Sequence, residues 1–305
     1  MSRILLTGCL GAIGAPLEGE LAQRGHDTWG CDLGHAARDQ YFRCDVGDYR
    51  VLERVIAAVR PDYVYHLAGE FGRKNGEDHY ESLWRTNAIG TKNLIRLQER
   101  DRFRLIFFSS SEIYGDLNER LSEDLTSRRP LRPLNDYAIS KWVNELQIMN
   151  SASVSQTETV RVRLFNTYGP GERFSPYRSV VCQFVYKALH DLPYDVFTRH
   201  TRSLTYVDDT VAALATIAEK FHTGSVYNIS AATAVSMKDL SDIVLRKLGR
   251  TDQKVTYREV ESQNALHKSG DNTLASRDLN FGETVTLSEG LDRTIAWQRA
   301  AYQTR

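Results

Sequence analysis

The hydrophobic positions in the first half of the chain fall into short unbroken runs separated by helical repeats. Ile4-Leu5-Leu6 is the apolar core of a strand, and Leu17, Leu21 and Ala22 then recur at helical spacing after Gly14. Thr28-Trp29-Gly30-Cys31, ending at Asp32, predicts a second strand, and Tyr41-Phe42-Arg43-Cys44 a third. Val51, Val55, Ile56 and Val59 make a helical stripe closed by Pro61, whose ring forbids continuation. Residues 62–67 predict a fourth strand, and Leu83, Ile89, Leu94 and Leu97 one long helix. Residues 105–108 predict a fifth strand, 137–149 a helix and 159–164 a sixth strand. Strands alternating with helices predict an α/β fold, a Rossmann-type doubly wound parallel sheet.

After Leu164 the rhythm changes. Residues 166–176 are rich in Gly and Pro and predict a loop, followed by a helix over 179–189. Val226-Tyr227-Asn228-Ile229 predicts one more strand rejoining the first sheet, and helices are predicted over 237–248 and 287–300. The expected division is a dinucleotide-binding domain from 1–165 and 207–232, with a smaller, discontinuous C-terminal substrate domain from 166–206 and 233–305.

The 305 residues carry 39 basic and 39 acidic side chains, so the net charge of zero gives no overall footprint for nucleic acid or an acidic membrane. Cys9, Cys31, Cys44 and Cys182 form no C-x-x-C pair and no zinc spacing with the eight histidines, which predicts free thiols, no metal and a cytoplasmic setting. Arg3 and the apolar residues before Gly11-Ala12-Ile13-Gly14-Ala15 imitate a signal peptide, but the glycine spacing explains the stretch better. No run reaches the 18 or so apolar residues of a membrane span.

Gly8-x-x-Gly11-x-x-Gly14 lies directly between an apolar strand and a helix. Glycines there allow a tight turn and close approach to a pyrophosphate, with Ala12 and Ile13 leading into the helix N-terminus. Asp32, 18 residues beyond Gly14, suits a ribose 2′-hydroxyl and repels a 2′-phosphate, which predicts NAD rather than NADP; nearby Arg38 points the other way. Asp45-Val46 is a candidate for the adenine amino group, or else belongs to the cap of a helix near Asp48. Leu67-Ala68-Gly69 ends the fourth strand in residues small enough for a cofactor to pass.

Tyr137 and Lys141, at i and i+4, share one helix face. An ammonium and a positive nicotinamide beside the phenol favour phenolate, which makes Tyr137 a candidate base for an alcohol proton as hydride leaves carbon. Ser109-Ser110-Ser111 ends the fifth strand at the sheet edge where ligands bind, and a hydroxyl there either shares that proton or caps a turn.

With these motifs the chain resembles the extended short-chain dehydrogenase/reductases of the nucleotide-sugar epimerase/dehydratase type. The match also runs through His66-Leu67-Ala68, Asn87-x-x-Gly90-Thr91-x-Asn93-Leu94, Ser109-Ser110-Ser111-Glu112-Ile113-Tyr114-Gly115, 163–170 and 202–209. The resemblance implies oxidation of a nucleotide-linked sugar at C4 by NAD, with Tyr137 as base, Lys141 on the nicotinamide ribose, Ser110 as the partner hydroxyl and Asn87 in the cofactor site. It implies Asn166 and Arg202 on the nucleotide diphosphate, and a homodimer built through the helices near 87–98 and 137–149.

Within that family Glu112 leans the reading toward a sugar 4,6-dehydratase, in which it removes the C5 proton. The preceding Ser111, where thymidine-nucleotide dehydratases carry Asp, resembles the GDP-mannose dehydratases and the uronic-acid decarboxylases instead. A decarboxylase needs cations for the substrate carboxylate, and Arg73, Lys74 or Arg202 suit that need. A 4-epimerase and a UDP-uronic-acid decarboxylase are the alternatives. An NAD(P)-dependent keto-sugar reductase and a non-catalytic dinucleotide sensor stand further off. The loop 70–76 matches no subclass pattern.

Overall fold

A computed structural model describes residues 1–303. Its centre is a parallel sheet of seven strands: β1 (Arg3–Thr7), β2 (Asp27–Asp32), β3 (Tyr41–Arg43), β4 (Tyr63–His66), β5 (Arg104–Ser110), β6 (Thr159–Leu164) and, later in the chain, Val226–Ile229. The order across the sheet is Val226–Ile229, β6, β5, β4, β1, β2, β3. Each central strand deals its side chains alternately into two apolar layers. Ile4, Leu6, Tyr65, Ile106 and Phe108 enter one, and Leu5, Val64, Leu105 and Phe107 the other. Burial on both faces is why these strands read as continuous apolar runs.

The helices stop where the backbone demands it. Tyr49–Val59 begins at Asp48, whose carboxylate accepts from the N–H groups of Arg50 (3.0 Å) and Val51 (3.2 Å). It ends at Arg60, left-handed at φ 48°, immediately before Pro61. The long helix expected through Leu83 and Leu97 is interrupted. A short turn, Tyr80–Leu83, runs into a wide π-helical stretch, Trp84–Ile89, and only then into the regular helix Gly90–Asp101. The wide turn carries Asn87, and the following Gly90 is required because a Cβ there would meet Val46 Cγ2 at 2.7 Å.

Beyond β6 the strands are short. β7 (Asn166–Tyr168), β8 (Tyr194–Phe197) and β9 (Thr201–Tyr206) precede Val226–Ile229, which is therefore β10, and β11 (Ala234–Ser236), β12 (Val255–Arg258) and β13 (His267–Lys268) follow it. β9 pairs with β7, β11 and β13, and β8 pairs with β12. The strand order reverses between β1 and β4, the position at which such sheets open a crevice. No helix among the described residues is long and apolar enough to cross a membrane.

Candidate active site

A cavity of about 900 Å³ runs from that crevice to β8 and β9. Gly8, Gly11, Ala12, Ile13, Gly14, Asp32, Asp45, Val46, Leu67 and Ala68 line one end of it, and Ser110, Ser111, Glu112, Tyr137, Lys141, Asn166, Arg73 and Arg202 line the rest.

The turn after β1 is shaped for close approach. Gly8 sits at φ 75°, and a Cβ there would meet Ala68 N at 2.7 Å. Helix Gly14–Gln23 starts at Ile13 without a side-chain cap; Ala15 N donates to Gly11 O at 3.0 Å and Pro16 has no N–H, so the N–H groups of Ile13 and Gly14 are the ones left for a ligand. Asp32 accepts from Leu10 N (3.0 Å) and Leu33 N (2.7 Å), which holds its carboxylate against the loop. Arg38 gives two bonds to Glu18, at 2.8 and 3.0 Å, and is thereby occupied. Asp45 closes its own turn by accepting from Gly47 N at 2.8 Å, while the helix cap is Asp48. An uncapped helix start, a turn only glycine can make and an acid at the ribose position fit NAD.

Asn87 stands behind the wall rather than in it. It is buried, donates to Glu70 O (3.0 Å) and Ser140 Oγ (3.0 Å), and accepts from Glu70 N (2.8 Å). It fixes the segment after β4 against the helix Asp136–Ser155.

That helix is capped by Asn135, which accepts from Ala138 N at 2.9 Å, and it brings Tyr137 and Lys141 to the end of β5. Lys141 donates to Phe108 O at 2.8 Å, and its Nζ lies 5.9 Å from the Tyr137 ring centre. Burial lowers the lysine to about 8. Burial also pushes the Tyr137 phenol up to about 12, with the Ser110 hydroxyl acting against it and Glu112 with it. Ser110 accepts from Glu112 N at 3.2 Å, capping the turn Ser111–Tyr114, and its hydroxyl also stands beside Tyr137. Ser109 is diverted to the buried Glu145, at 2.6 Å.

Glu112 meets a residue that the sequence reading did not single out. Its carboxylate is paired with the ammonium of Lys268, on the two-residue strand β13. Burial pulls Glu112 upward, but Lys268, with Arg202 and Asn135 behind it, outweighs burial and holds the carboxyl below the usual range. Burial lowers Lys268 to about 8 against the opposing pull of Glu112. Arg202 lines the cavity, yet its terminal nitrogens donate to the carbonyls of Thr201, Ala265 and Leu266 and to Asn264 Oδ1. It presents no free fork to a diphosphate. Arg73 is paired with Glu261. Among the described residues no group of three or more His, Cys, Asp or Glu side chains is placed to hold a metal.

A tyrosine, a lysine and a serine beyond the end of β5 thus share one cavity with the dinucleotide turn at the switch point of a doubly wound sheet. The model of the NAD dependent epimerase/dehydratase family matches residues 4–230, and the chain belongs to that family. It is 29% identical to a UDP-N-acetyl-alpha-D-glucosaminuronate decarboxylase of Bacillus cytotoxicus, over 97% of this chain and 98% of that one. It is also 29% identical to a dTDP-glucose 4,6-dehydratase of Streptomyces griseus, over 90% of this chain and 79% of that one. Among solved structures, the UDP-glucose 4-epimerase of Thermus thermophilus in complex with NAD superposes with a TM-score of 0.87, at 25% identity, covering 98% of this chain and 99% of that one. The chain is an NAD-dependent enzyme of the epimerase/dehydratase family.

Proposed function

We propose that the chain decarboxylates UDP-linked hexuronic acids through transient oxidation at the sugar C4. The observation that carries this reading is the ion pair between Glu112 and Lys268 at the Tyr137 end of the cavity. A 4,6-dehydratase needs Glu112 as a base for the C5 proton, and a carboxyl held low by an ammonium is a weak base. A decarboxylase needs no base there. It needs cations around the substrate carboxylate and a proton for C5 once carbon dioxide has left. The similarity to the Bacillus cytotoxicus decarboxylase along nearly the whole of both chains supports the same reading. The dehydratase suggested by Glu112 alone becomes the second reading, supported by the Streptomyces griseus relative.

Gly8, Gly11, Ala12, Ile13 and Gly14 would hold the pyrophosphate, Asp32 the adenosine ribose, Asp45, Val46, Leu67 and Ala68 the adenine side, and Lys141 the nicotinamide ribose. NAD, when bound, supplies the acceptor for the C4 hydride. Tyr137 takes the C4 hydroxyl proton, with Ser110 sharing the hydrogen bond. The new 4-ketone stands β to the C6 carboxylate, so the C5–C6 bond breaks and its electron pair passes into the C4 carbonyl. Tyr137, now protonated, donates to that enolate oxygen. Lys268, near 8, is the proton source for C5, with Glu112 as the relay. Asn166 faces the nucleotide diphosphate.

Residues 1–165 with 207–232 form the cofactor half and 166–206 with 233–305 the substrate half. Ile89, Ile139, Leu146 and Met149 are exposed around two neighbouring helices and favour a homodimer through that face. The four free, buried cysteines suit the cytoplasm.

The test is to offer purified protein and NAD with UDP-glucuronate, its 2-acetamido counterpart and UDP-glucose, and to weigh the products. Loss of carbon dioxide from a uronate is expected. Loss of water from UDP-glucose with both uronates untouched would replace this reading with the dehydratase.

A further inference from the structure

Five charged side chains meet at the Glu112 end of the cavity. Lys268 pairs with Glu112, and Arg73, which opens the helix Arg73–Asp78, pairs with Glu261. The second oxygen of Glu261 accepts from Asn264 Nδ2 at 2.8 Å, and Asn264 Oδ1 accepts from Arg202 Nη2 at 2.7 Å. Arg202 feels the charges of Glu112, Glu261 and Arg73, and Lys268 those of Arg202 and Arg73, so the five act as one cluster. Three cations face two carboxylates, which leaves one positive charge uncompensated. His200, beside Arg202, does not add to it, because burial favours its neutral form.

The three cations are not equally free. Arg202 is committed to backbone carbonyls, and Lys268 lies behind Glu112 with 2% of its surface exposed. Arg73 lines the cavity, and its guanidinium hydrogen-bonds only to Glu261 among the described residues. A planar guanidinium exchanges one carboxylate for another at little geometric cost. The geometry points to Arg73 as the residue that reads the carboxylate of a nucleotide-linked uronic acid, with Glu261 an internal stand-in that the substrate carboxylate displaces. This rests on the decarboxylase reading above and adds to it the residue that separates a uronate from its parent hexose.

An exchange has a signature that a structural ion pair lacks: removing its two halves moves affinity in opposite directions. NAD-loaded wild type, Arg73→Gln and Glu261→Gln are titrated calorimetrically with UDP-glucuronate and UDP-glucose. The wild type is expected to prefer the uronate. Arg73→Gln is expected to weaken UDP-glucuronate about tenfold or more, the usual worth of a charged hydrogen bond, and to leave UDP-glucose nearly unchanged. Glu261→Gln removes the competitor and is expected to tighten UDP-glucuronate severalfold. UDP-glucose binding also reports that each variant is folded. If both variants weaken both ligands alike, the pair is structural and the inference is overturned. If the wild type releases carbon dioxide from a uronate while Arg73→Gln keeps the full preference, Arg73 is not the reader and the decarboxylase reading survives. If the wild type neither prefers nor decarboxylates a uronate, both fall together.

Discussion

Replacing Lys268 by Met removes one ammonium and keeps a flexible apolar stem of similar length. Burial brings Lys268 from its ordinary 10.5 to about 8, a cost of roughly 3 kcal/mol at neutral pH. The sign follows from linkage: a lysine with a lower value folded than unfolded destabilises while both states are protonated, and the penalty fades as pH rises from about 8 to about 10.5. Met carries no such penalty. Against that gain, Glu112 loses its partner, and breaking a buried pair costs about 3–5 kcal/mol. Glu112 lines the cavity and keeps Asn135 and Arg202 nearby, which places its loss at the low end. The two effects nearly cancel, so stability should change by less than about 2 kcal/mol and the melting temperature by less than about 8 °C. The chemistry has no such compensation. Loss of a general acid slows the step it serves about 10²–10⁴-fold, and here that step is protonation of C5 after carbon dioxide has left. Oxidation at C4 relies on Tyr137, and loss of carbon dioxide on the 4-ketone, so both should persist. The assay is a single turnover with UDP-glucuronate, following NADH absorbance, released carbon dioxide and the C5-protonated nucleotide pentose together, with a thermal melt on the same sample. The expected record is NADH and carbon dioxide formed at near wild-type rates with the pentose product delayed. Pentose appearing at the wild-type rate would show that Lys268 is not the proton source, and a collapsed melting temperature with matched loss of all signals would make Lys268 structural.

Other outcomes follow from the same geometry. Tyr137→Phe should lower C4 oxidation about 10³-fold or more while leaving bound NAD in the purified protein, measured by turnover and by cofactor content after denaturation. In the wild type the burial that raises Tyr137 makes phenolate the scarce form, so the oxidation half-reaction should accelerate as pH rises above 7 in stopped-flow traces. Asp32→Ala should weaken NAD about tenfold without creating an NADP enzyme, because Arg38 stays bound to Glu18; titration with both cofactors checks this. Glu145 is buried, and Arg163 outweighs burial to hold its carboxyl low, so the pair stabilises the fold above the unfolded value and that contribution is lost as pH falls through the folded one. Glu145→Gln should cost about 3–5 kcal/mol in urea unfolding at pH 7, with the gap to wild type narrowing in acid below about pH 4.

The parts legible in the sequence were those with a repeating physical cause. β1, β4 and β5 are buried on both faces and must be apolar throughout, and the helix stripes mark the layers that cover them. The turn at Gly8 announces itself because its positive φ and the nearness of Ala68 together leave no room for a Cβ. The second half lacks such causes. β9 reads Thr-Arg-Ser-Leu-Thr-Tyr, and β7, β11 and β13 are two or three residues long, too short for any alternation to show. The π-helical stretch at Trp84–Ile89 keeps enough helical spacing to pass for one straight helix. Tyr137, Lys141, Ser110 and Glu112 could be found because each sits at a motif spacing. Glu261 and Asn264 lie in irregular chain and Lys268 on a two-residue strand, and only the fold brings them to Glu112 and Arg73. Asn87 and Arg202 were found for what their positions imply, but most of their hydrogen bonds are with backbone, which no residue type reveals.

In the proposed reaction a hydride leaves C4 and carbon dioxide then leaves C5. UDP-glucuronate carrying deuterium at C4 and carbon-13 at C6 tests both at once by mass spectrometry of all products. Carbon-13 is expected in released carbon dioxide, and deuterium either back in the nucleotide-pentose or in NADH. Carbon-13 kept in the nucleotide sugar would contradict it, as would its release with deuterium never appearing in NADH and NAD not required.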